Sequence, residues 1–405
     1  MPRRTILISL TAALGPLILG GTLATTSAAE RPTARSHQAT GAAFEFVGRG
    51  FGHGVGMSQY GARGRALAGW SHQRILRHYY RGTTLSPTRH LRMKILLADE
   101  LRAPAVTSPR PFRLVGRATA GPRARAVPAG TLVRLVPVAG GIEARRSGAR
   151  PVLYEGAVRV ETLARAGVVS WGERRPSRDA RFRGSLRFTR GEEGGLRLVN
   201  YVFMEDYLRG VVPAEMPASW GDDSPAALRA QAIAARTYAL ATLRRGGDFN
   251  HYADTRSQVY EGVAIEDPRT DRAVRSTANR IVTFRGEPAQ TFFFSTSGGR
   301  TEDVVNAFPG SQPTPYLVSV PDPFDRISPV HRWPDRPRFS PGRLGELLGL
   351  GGPVTGFEIV RRGASPRVVA ARVTVAGGRT TIVSGSDLRG RLGLRDSWFA
   401  VRRAG

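Results

Sequence analysis

One glutamate of this chain has the surroundings that acid catalysis needs. Glu215 stands between Pro213 and Pro217. A proline fixes φ and pushes the residue before it towards extended geometry, so this spacing predicts a short rigid loop rather than a helix face. Val212 and Met216 provide an apolar setting, and loss of water raises the pKa of a carboxyl group, as a general acid for a glycosidic oxygen requires. The alternative is a surface-loop glutamate between two turn prolines.

Four blocks of the sequence closely resemble the stage II sporulation protein D and amidase enhancer family. They are GRGFGHGVGMSQYGARGRALAGWSHQRILRHYYRGTTL (48–85), YLRGVVPAEMPASWGDDSPAALRAQAIAARTYAL (207–240), DTRSQVYEGV (254–263) and STSGGRTEDV (295–304). Members of that family characterised as enzymes are lytic transglycosylases of peptidoglycan, and they require the glutamate of an E-M-P motif. The resemblance places that glutamate at Glu215.

The reaction that this resemblance implies needs one carboxyl group acting twice. It first protonates the oxygen between N-acetylmuramic acid and N-acetylglucosamine, and then accepts the proton of the muramyl C6 hydroxyl as a 1,6-anhydro ring closes. The substrate's own N-acetyl group can steady the cationic centre, so a second carboxylate is unnecessary. Asp206, Asp222 and Asp223 are close in sequence and leave a hydrolytic second acid open as an alternative.

Three residues near the start of the chain are candidates for binding the glycan. His53 lies in a glycine-rich run, where it could bond sugar or orient Glu215, or could be a satisfied histidine on a packing surface. Gln59 and Tyr60 combine an amide with an aromatic ring, as carbohydrate-binding residues do, although turn packing also explains them. The resemblance places the counterpart of His53 in a motif near the active groove.

Further candidates follow the glutamate. Gln258 and Tyr260 match the family's glutamine-tyrosine pair and are expected in the groove. Arg236 could pair with Glu215 or with a muramyl carboxylate, or could be an ordinary arginine with a buried stem. A turn after a strand presents hydroxyls and backbone amides that could bind sugar or an anion; its candidate residues are Ser295, Ser297, Gly298 and Gly299.

Other chemistries lack their residues. The sequence has no H-E-x-x-H pair, and His72 and His78 are six residues apart, on different helix faces. The chain has no cysteine, which excludes disulfides and thiolate-bound metals. Some relatives hold zinc partly through cysteine before the glutamine-tyrosine motif, where this chain has His251 and Asp254 without sulfur. We expect no metal and no cofactor.

The net charge of +28 is carried almost wholly by arginine, since Lys94 is the only lysine. The positive electrostatic potential of such a surface favours the binding of polyanions. Nucleic acid is excluded as an expected partner because no DNA- or RNA-binding motif is present. Acidic wall polymers and anionic lipid headgroups remain, and the alternative is a coding bias that simply covers the surface with arginine.

The first residues have the pattern of an export signal. Two arginines precede an apolar run from Ile6 to about Leu23, and small residues follow it up to Ala29. We expect residues 1–29 to be a signal peptide, 30–41 a flexible linker, and the product to be secreted to the cell wall. An uncleaved membrane anchor is the alternative. No later segment has the 18 apolar residues of a membrane span.

The remaining pattern predicts an α+β fold with a β-rich mixed core, one long alanine-rich helix packed on a sheet, and an inserted β-rich module. We expect 42–90 to be a glycine-track segment of the core, 91–197 the inserted module, and 198–405 the catalytic core. Glycines at every second position from 48 to 56 predict an extended segment with one bare face. Ser224 and Pro225 predict the start of the long helix, which should run to about Arg244.

The order of the blocks departs from that of the family. The glycine-rich block usually follows the segment that ends this protein, so the core order is expected to be circularly permuted. A permuted core tolerates new ends only where the old ones met. Phe44 should therefore lie beside the segment 398–401.

Two other classes of function compete with the lytic transglycosylase. The other branch of the family implies a non-catalytic wall-binding protein that stimulates an N-acetylmuramoyl-L-alanine amidase. A structural wall protein held by its arginine surface is the third. The intact E-M-P motif favours the enzyme, with peptidoglycan glycan strands as substrate, and neither sporulation nor vegetative wall turnover is favoured over the other.

Overall fold

The computed structural model describes residues 42–164, 167–177 and 179–404. The expected signal peptide and linker lie outside the described residues. Among the described residues, no helix is both long enough and apolar enough to span a membrane.

Runs of strands and runs of helices follow one another along the described chain. The α-helices are α1 (Gln59–Leu67), α2 (His72–Tyr79), α3 (Met204–Arg209), α4 (Val212–Glu215), α5 (Trp220–Asp223), α6 (Pro225–Ala241), α7 (Pro268–Ser276), α8 (Val304–Ala307), α9 (Pro341–Leu348) and α10 (Gly385–Arg391). Short 3-10 helices span Gly262–Ile265 and Pro323–Ile327. The strands before α3 are β1 (Ala43–Gly48), β2 (Met57–Ser58), β3 (Thr84–Pro87), β4 (Arg92–Leu101), β5 (Ala105–Thr107), β6 (Phe112–Ala118), β7 (Ala124–Val127), β8 (Val133–Val138), β9 (Gly141–Arg145), β10 (Val152–Thr162), β11 (Val168–Gly172), β12 (Arg181–Arg183), β13 (Ser185–Arg190) and β14 (Leu196–Phe203). Those after it are β15 (His251–Tyr252), β16 (Arg280–Phe284), β17 (Glu287–Pro288), β18 (Phe293–Phe294), β19 (Arg338–Phe339), β20 (Val354–Arg362), β21 (Val368–Val375), β22 (Thr380–Ser384) and β23 (Phe399–Ala404).

These elements confirm the α+β class. A large sheet has the strand order β12-β11-β5-β8-β9-β10-β13-β14-β4-β15, with β6 paired to β10 and β7 paired to β6. Strand β14 lies antiparallel between β13 and β4, so strands from the predicted module and from the predicted core share one sheet. The division into those two parts stays a prediction.

Helix α6 lies in the centre of the main hydrophobic core. Ser224 is its N-cap residue and Pro225 its first residue, as predicted. Its alanines, most of them buried, allow close packing against strand β16 and against α1, α2 and α7. The helix ends at Ala241 rather than near Arg244, and the hydroxyl of its C-cap residue Thr242 donates to the Tyr238 carbonyl at 2.7 Å.

The two ends of the described chain meet in one small sheet. Strand β1 pairs antiparallel with β23, with Phe46 opposite Val401 and Gly48 opposite Phe399. The Arg49 amide extends the pairing by donating to the Trp398 carbonyl at 3.0 Å. The expected neighbourhood of Phe44 and residues 398–401 is confirmed, while the permuted order itself stays a prediction.

The glycine track is not the extended segment that its spacing predicted. Strand β1 ends at Gly48, and the next four alternate glycines all have positive φ, between 77° and 127°. Side chains are excluded there by neighbouring protein groups: a Cβ at Gly54 would collide with the Arg367 guanidinium, and one at Gly56 with the Phe292 carbonyl. The bare face of the track therefore packs against protein, in a conformation that glycine adopts without strain.

Candidate active site

Glu215 is the last residue of the one-turn helix α4, and the prediction of a loop position was wrong. A proline is tolerated in the first turn of a helix, so Pro213 fits inside α4. Pro217 acts as predicted on the residue before it, because Met216 has φ −130° and ψ 138° and ends the helix. The carboxylate is thus held by a short turn that two prolines fix.

The setting of the Glu215 carboxyl favours its protonated form. Burial raises its pKa from the ordinary 4.5 to about 7, and the adjacent Gln59 side chain offsets part of that rise by bonding to the carboxyl. The residue is still partly exposed, so solvent or substrate can reach it. At neutral pH the group is close to half protonated, as an acid that must also act as a base should be.

Two tyrosines lie close enough to Glu215 to respond to its charge. Burial, and then the charge of Glu215, raise the pKa of Tyr238 to about 12. Burial raises the pKa of Tyr207 far above its usual range, with Tyr260 and Glu215 adding to the effect. Both hydroxyls therefore stay protonated at neutral pH, and that of Tyr238 can serve as a hydrogen-bond donor beside the carboxyl group.

Gln258 and Tyr260 lie behind Tyr207 rather than in a groove. The Tyr207 hydroxyl donates to Gln258 Oε1 at 3.3 Å, and the Gln258 amide donates to the Ala235 carbonyl at 3.4 Å. The Tyr260 ring packs 4.9 Å from that of Tyr207, and its hydroxyl donates to Asn200 Oδ1 at 3.0 Å. Both residues are buried, so the structure gives them a supporting position.

Gln59 and Tyr60 open helix α1 on the side of Glu215. The Ser58 hydroxyl caps this helix by accepting from the Gly61 amide at 3.1 Å. Gln59 is buried against Glu215, whereas the Tyr60 ring is partly exposed and packs edge-on against Trp220, with 5.0 Å between ring centroids. An amide and an aromatic surface therefore accompany the carboxyl, as the prediction of a sugar-binding pair requires.

Both ring nitrogens of His53 form hydrogen bonds to backbone groups of the protein. Its Nδ1 accepts from the Val55 amide at 3.1 Å, and its Nε2 donates to the Phe293 carbonyl at 3.1 Å. Burial lowers its pKa to about 3, so the ring is neutral. Neither nitrogen remains to orient Glu215, and the structure supports the packing alternative for His53.

Arg236 does not form the expected pair with Glu215. Its guanidinium is buried and makes two bonds to Glu205, at 2.6 and 3.0 Å. It also donates to the carbonyls of Arg280 and Val274. Because Glu205, from α3, neutralises this charge, Arg236 ties α6 to its neighbours and is not available to a substrate carboxylate.

The turn that contains Ser295 and Gly299 does not offer the free amides that were expected. The Ser297 and Gly298 amides donate to the two carboxylate oxygens of Asp325, at 2.8 and 3.0 Å. The Gly299 amide donates to the Ser297 hydroxyl, at 3.1 Å. A buried aspartate thus occupies the place that a sugar or an anion was expected to take.

The acids considered as second catalytic groups are tied to arginines. Each of the three forms an ion pair away from Glu215, and burial and Gln59 are the only resolved influences on the Glu215 pKa. The pairs are Asp206 with Arg209 at 3.6 Å, Asp222 with Arg269 at 2.7 Å, and Asp223 with Arg63 at 2.9 Å. The geometry therefore favours a single acid.

In the region considered for a zinc site, the polar side chains of His251 and Asp254 are bonded to other protein groups. His251 donates from Nε2 to the Ala239 carbonyl at 2.8 Å, and Asp254 pairs with Arg256 at 2.6 Å. Within the ranges that the structure describes, no three His, Asp or Glu side chains are grouped as metal ligands. The absence of a metal stays a prediction.

Sequence reasoning missed Tyr207 and Tyr238 as neighbours of Glu215. Both belong to the same sequence block as the glutamate: Tyr207 lies in α3 and Tyr238 lies in α6. The signal that could have indicated them is the presence of a tyrosine near each end of a block that contains a candidate acid.

Comparisons with known proteins match the part of the chain that contains Glu215. A family model described as "Stage II sporulation protein" matches residues 192–284, which include Glu215 and all of α6. Stage II sporulation protein D of Bacillus subtilis (strain 168) is 31% identical over 226 residues, 51% of this chain. The protein of the same name from Bacillus amyloliquefaciens is 32% identical over 229 residues, again 51% of this chain.

The matches cover only part of the relatives as well. The aligned part of this chain spans 62% of the length of each of those two proteins. A protein named "Amidase enhancer", from Bacillus subtilis (strain 168), is 36% identical over 119 residues, which are 29% of this chain and 15% of that protein.

Proposed function

Because this chain belongs to the family of stage II sporulation protein D and the amidase enhancer, we propose that it is an exported lytic transglycosylase that cleaves peptidoglycan glycan strands. The observation that carries the proposal is the pKa of Glu215, which burial raises to about 7. An ordinary surface glutamate is ionised at neutral pH and has no proton to give.

The first step is proton donation by Glu215. Its carboxyl proton moves to the oxygen between N-acetylmuramic acid and N-acetylglucosamine, and the glycosidic bond breaks with the electron pair leaving on that oxygen. The cationic character at the muramyl C1 is relieved by the substrate's N-acetyl group. The side chain of Gln59 lies beside the carboxyl group and lowers its pKa.

The second step returns the proton. The Glu215 carboxylate accepts the proton of the muramyl C6 hydroxyl, whose oxygen bonds to C1 and closes the 1,6-anhydro ring. No water is consumed, and the glutamate ends in the protonated state in which it began. The neutral hydroxyl of Tyr238 can donate a hydrogen bond to the carboxylate during the interval in which it is charged.

Glycan strands free of stem peptides provide the test. Purified protein is incubated with them, and 1,6-anhydro-muramyl ends are measured by mass spectrometry. Glu215→Gln should lose at least a thousandfold in rate, because the amide keeps the shape of the side chain without its proton. Glu287→Gln, which removes the same charge from an exposed residue, is the matched control and should act as the native protein does.

Two results would count against the enzyme. Equal release of anhydro ends by the native protein and by Glu215→Gln removes the glutamate from the mechanism. No product from the native protein, together with stimulation of a purified wall amidase that Glu215→Gln retains, supports the enhancer function that the name of the third relative suggests.

A further inference from the structure

A cavity of about 350 Å³ lies between α2, β3, α6 and β16. This size is within the range of small-ligand sites. Hydrogen-bonding side chains surround an apolar floor that includes Leu76 and Ile233. The polar residues are His72, Gln73, Arg77, Thr83, Thr84 and Arg280.

The cavity is positively charged. Its lining contains two arginines and no aspartate or glutamate. Glu205 accepts from the amide of Asn279, the residue before Arg280, at 3.2 Å, and its charge is neutralised by the buried Arg236. The ion pairs within the described ranges leave Arg77 and Arg280 without a carboxylate.

Two neighbouring features add to this field. Burial and then the charge of Arg229 lower the pKa of His72, which places the Arg229 charge near the cavity. His72 and Gln73 are the first two residues of α2, and backbone N–H groups at these positions have no acceptor within the helix. The positive end of the helix dipole therefore points towards the same space.

We propose that this cavity binds a phosphate group, and that its natural occupant is a polyol chain of the cell wall linked by phosphodiesters. The arginines, the glutamine amide and the threonine hydroxyls of the lining can donate to the two unesterified oxygens of a phosphodiester, each of which accepts more than one hydrogen bond. Arginine matches phosphate through its planar fork of N–H donors. The apolar floor suits the carbon atoms of the polyol.

A lipid headgroup fits the surface less well than a wall polymer does. A face that enters a membrane presents large apolar side chains around its charges. The large exposed hydrophobic residues of the described chain include Leu67, Val305 and Ile382, and none of them belongs to the cavity lining. The Arg229 charge, which acts on His72 of the lining, lies beside the cavity instead and favours a chain with a phosphate in every repeat.

This cavity is separate from the candidate active site. Ile233 lines it, whereas Tyr238, five residues further along α6, lies near Glu215. Five residues of an α-helix turn the side chain by about 140° from its starting direction. The inference is therefore independent of the chemistry proposed for Glu215.

Calorimetric titration with a short poly(glycerol phosphate) at physiological salt tests the proposal. We expect the double variant Arg77→Gln, Arg280→Gln to weaken binding at least tenfold. The matched control is Arg146→Gln, Arg150→Gln, which removes two exposed arginines near strand β9 and should change the affinity less than twofold. All of these arginines are exposed, so the thermal unfolding midpoints should agree and show that each variant folds.

A charge reversal and a second probe make the result decisive. Arg280→Glu should abolish binding of the polymer, whereas Arg150→Glu should weaken it only slightly. Equal losses in the cavity variants and their controls would overturn the proposal, because the attraction would then come from the whole surface. Binding to vesicles of anionic phospholipid that depends on Arg77 and Arg280, without binding of the polymer, would also overturn it.

Discussion

The side chain of Gln59 contacts the carboxyl group of Glu215, although the two residues come from different sequence blocks. Gln59 is the first residue of α1 and Glu215 the last residue of α4, so two helix ends meet at the candidate acid. Burial raises the Glu215 pKa and the Gln59 amide lowers it. The balance of these two effects sets the pH range in which the glutamate can work.

The first prediction concerns stability and pH. The Glu215 pKa is about 7 in the folded protein and near 4.5 in the unfolded chain. Between these values the unfolded chain gives up a proton that the folded protein keeps, so folding loses stability as pH rises. Glu215→Gln avoids this loss. Its stability relative to the native protein should therefore rise from pH 4 to pH 8, by about 2 kcal/mol because the side chain is partly exposed.

Urea unfolding of both proteins at pH 4, 6 and 8 measures this difference, in which the titration of all other groups cancels. Glu287→Gln, at an exposed residue, should give a difference that does not change with pH. A Glu215→Gln difference that is equally flat would mean that the carboxyl has an ordinary pKa.

The second prediction concerns the proposed activity. The value of kcat/KM should fall above pH 7, because the free enzyme must carry the proton on Glu215. Gln59→Leu removes the group that lowers this pKa, so the midpoint of the fall should move to higher pH. The measurement is kcat/KM for glycan cleavage from pH 5 to pH 9. Gln312→Leu, at an exposed residue, should leave the midpoint unchanged, and a downward shift in Gln59→Leu would contradict the assignment.

The third prediction concerns the buried carboxylate of Asp325. It accepts from the Ser58 hydroxyl at 2.7 Å and from the Ser297 and Gly298 amides at 2.8 and 3.0 Å. Asp325→Ala leaves these donors buried without an acceptor, and should lower the free energy of unfolding by about 3 kcal/mol. Asp325→Asn keeps one acceptor oxygen and should lose less.

Chemical denaturation measures both variants. Asp335→Ala is the control, since Asp335 is exposed and its pairing with Arg395 should contribute less than about 1 kcal/mol. If Asp325→Ala cost no more than the control, the turn at residues 295–299 would not depend on this aspartate.

The fourth prediction concerns the buried amide of Gln231. In the part of the chain that the structure describes, neither its nitrogen nor its oxygen has a hydrogen-bond partner. An unpaired buried amide lowers stability, so Gln231→Met should raise the free energy of unfolding by about 1 kcal/mol. Gln258→Met is the matched control, because the Gln258 amide is bonded on both sides and its loss should destabilise the protein. A loss of stability in Gln231→Met would contradict the prediction.

Local signals in the sequence predicted the local structure well. The cap at Ser224, the proline at 225 and the buried alanines of α6 depend on neighbouring residues, and the structure has all three where they were expected. The pairing of β1 with β23 was predicted from a different argument, the order of the blocks compared with relatives. The α+β class followed from a long run of strand patterns together with one long alanine-rich helix.

Contacts between distant segments were not predictable in the same way. The period of the glycines is compatible both with a strand and with a chain of left-handed turns, and only the position of Arg367 and Phe292 excludes side chains there. The guanidinium of Arg236 and the amides of Ser297 and Gly298 are groups that could bind an anionic or sugar ligand. Glu205 and Asp325, which neutralise them, are far away in sequence.

The pairing of Ala43 with Ala404 has a consequence for how the molecule is made. Of the strands described, β1 leaves the ribosome first and its full-length partner β23 leaves last. During synthesis β1 must therefore remain without that partner until β23 has been made, and the sheet that joins them can be among the last described parts of the protein to form.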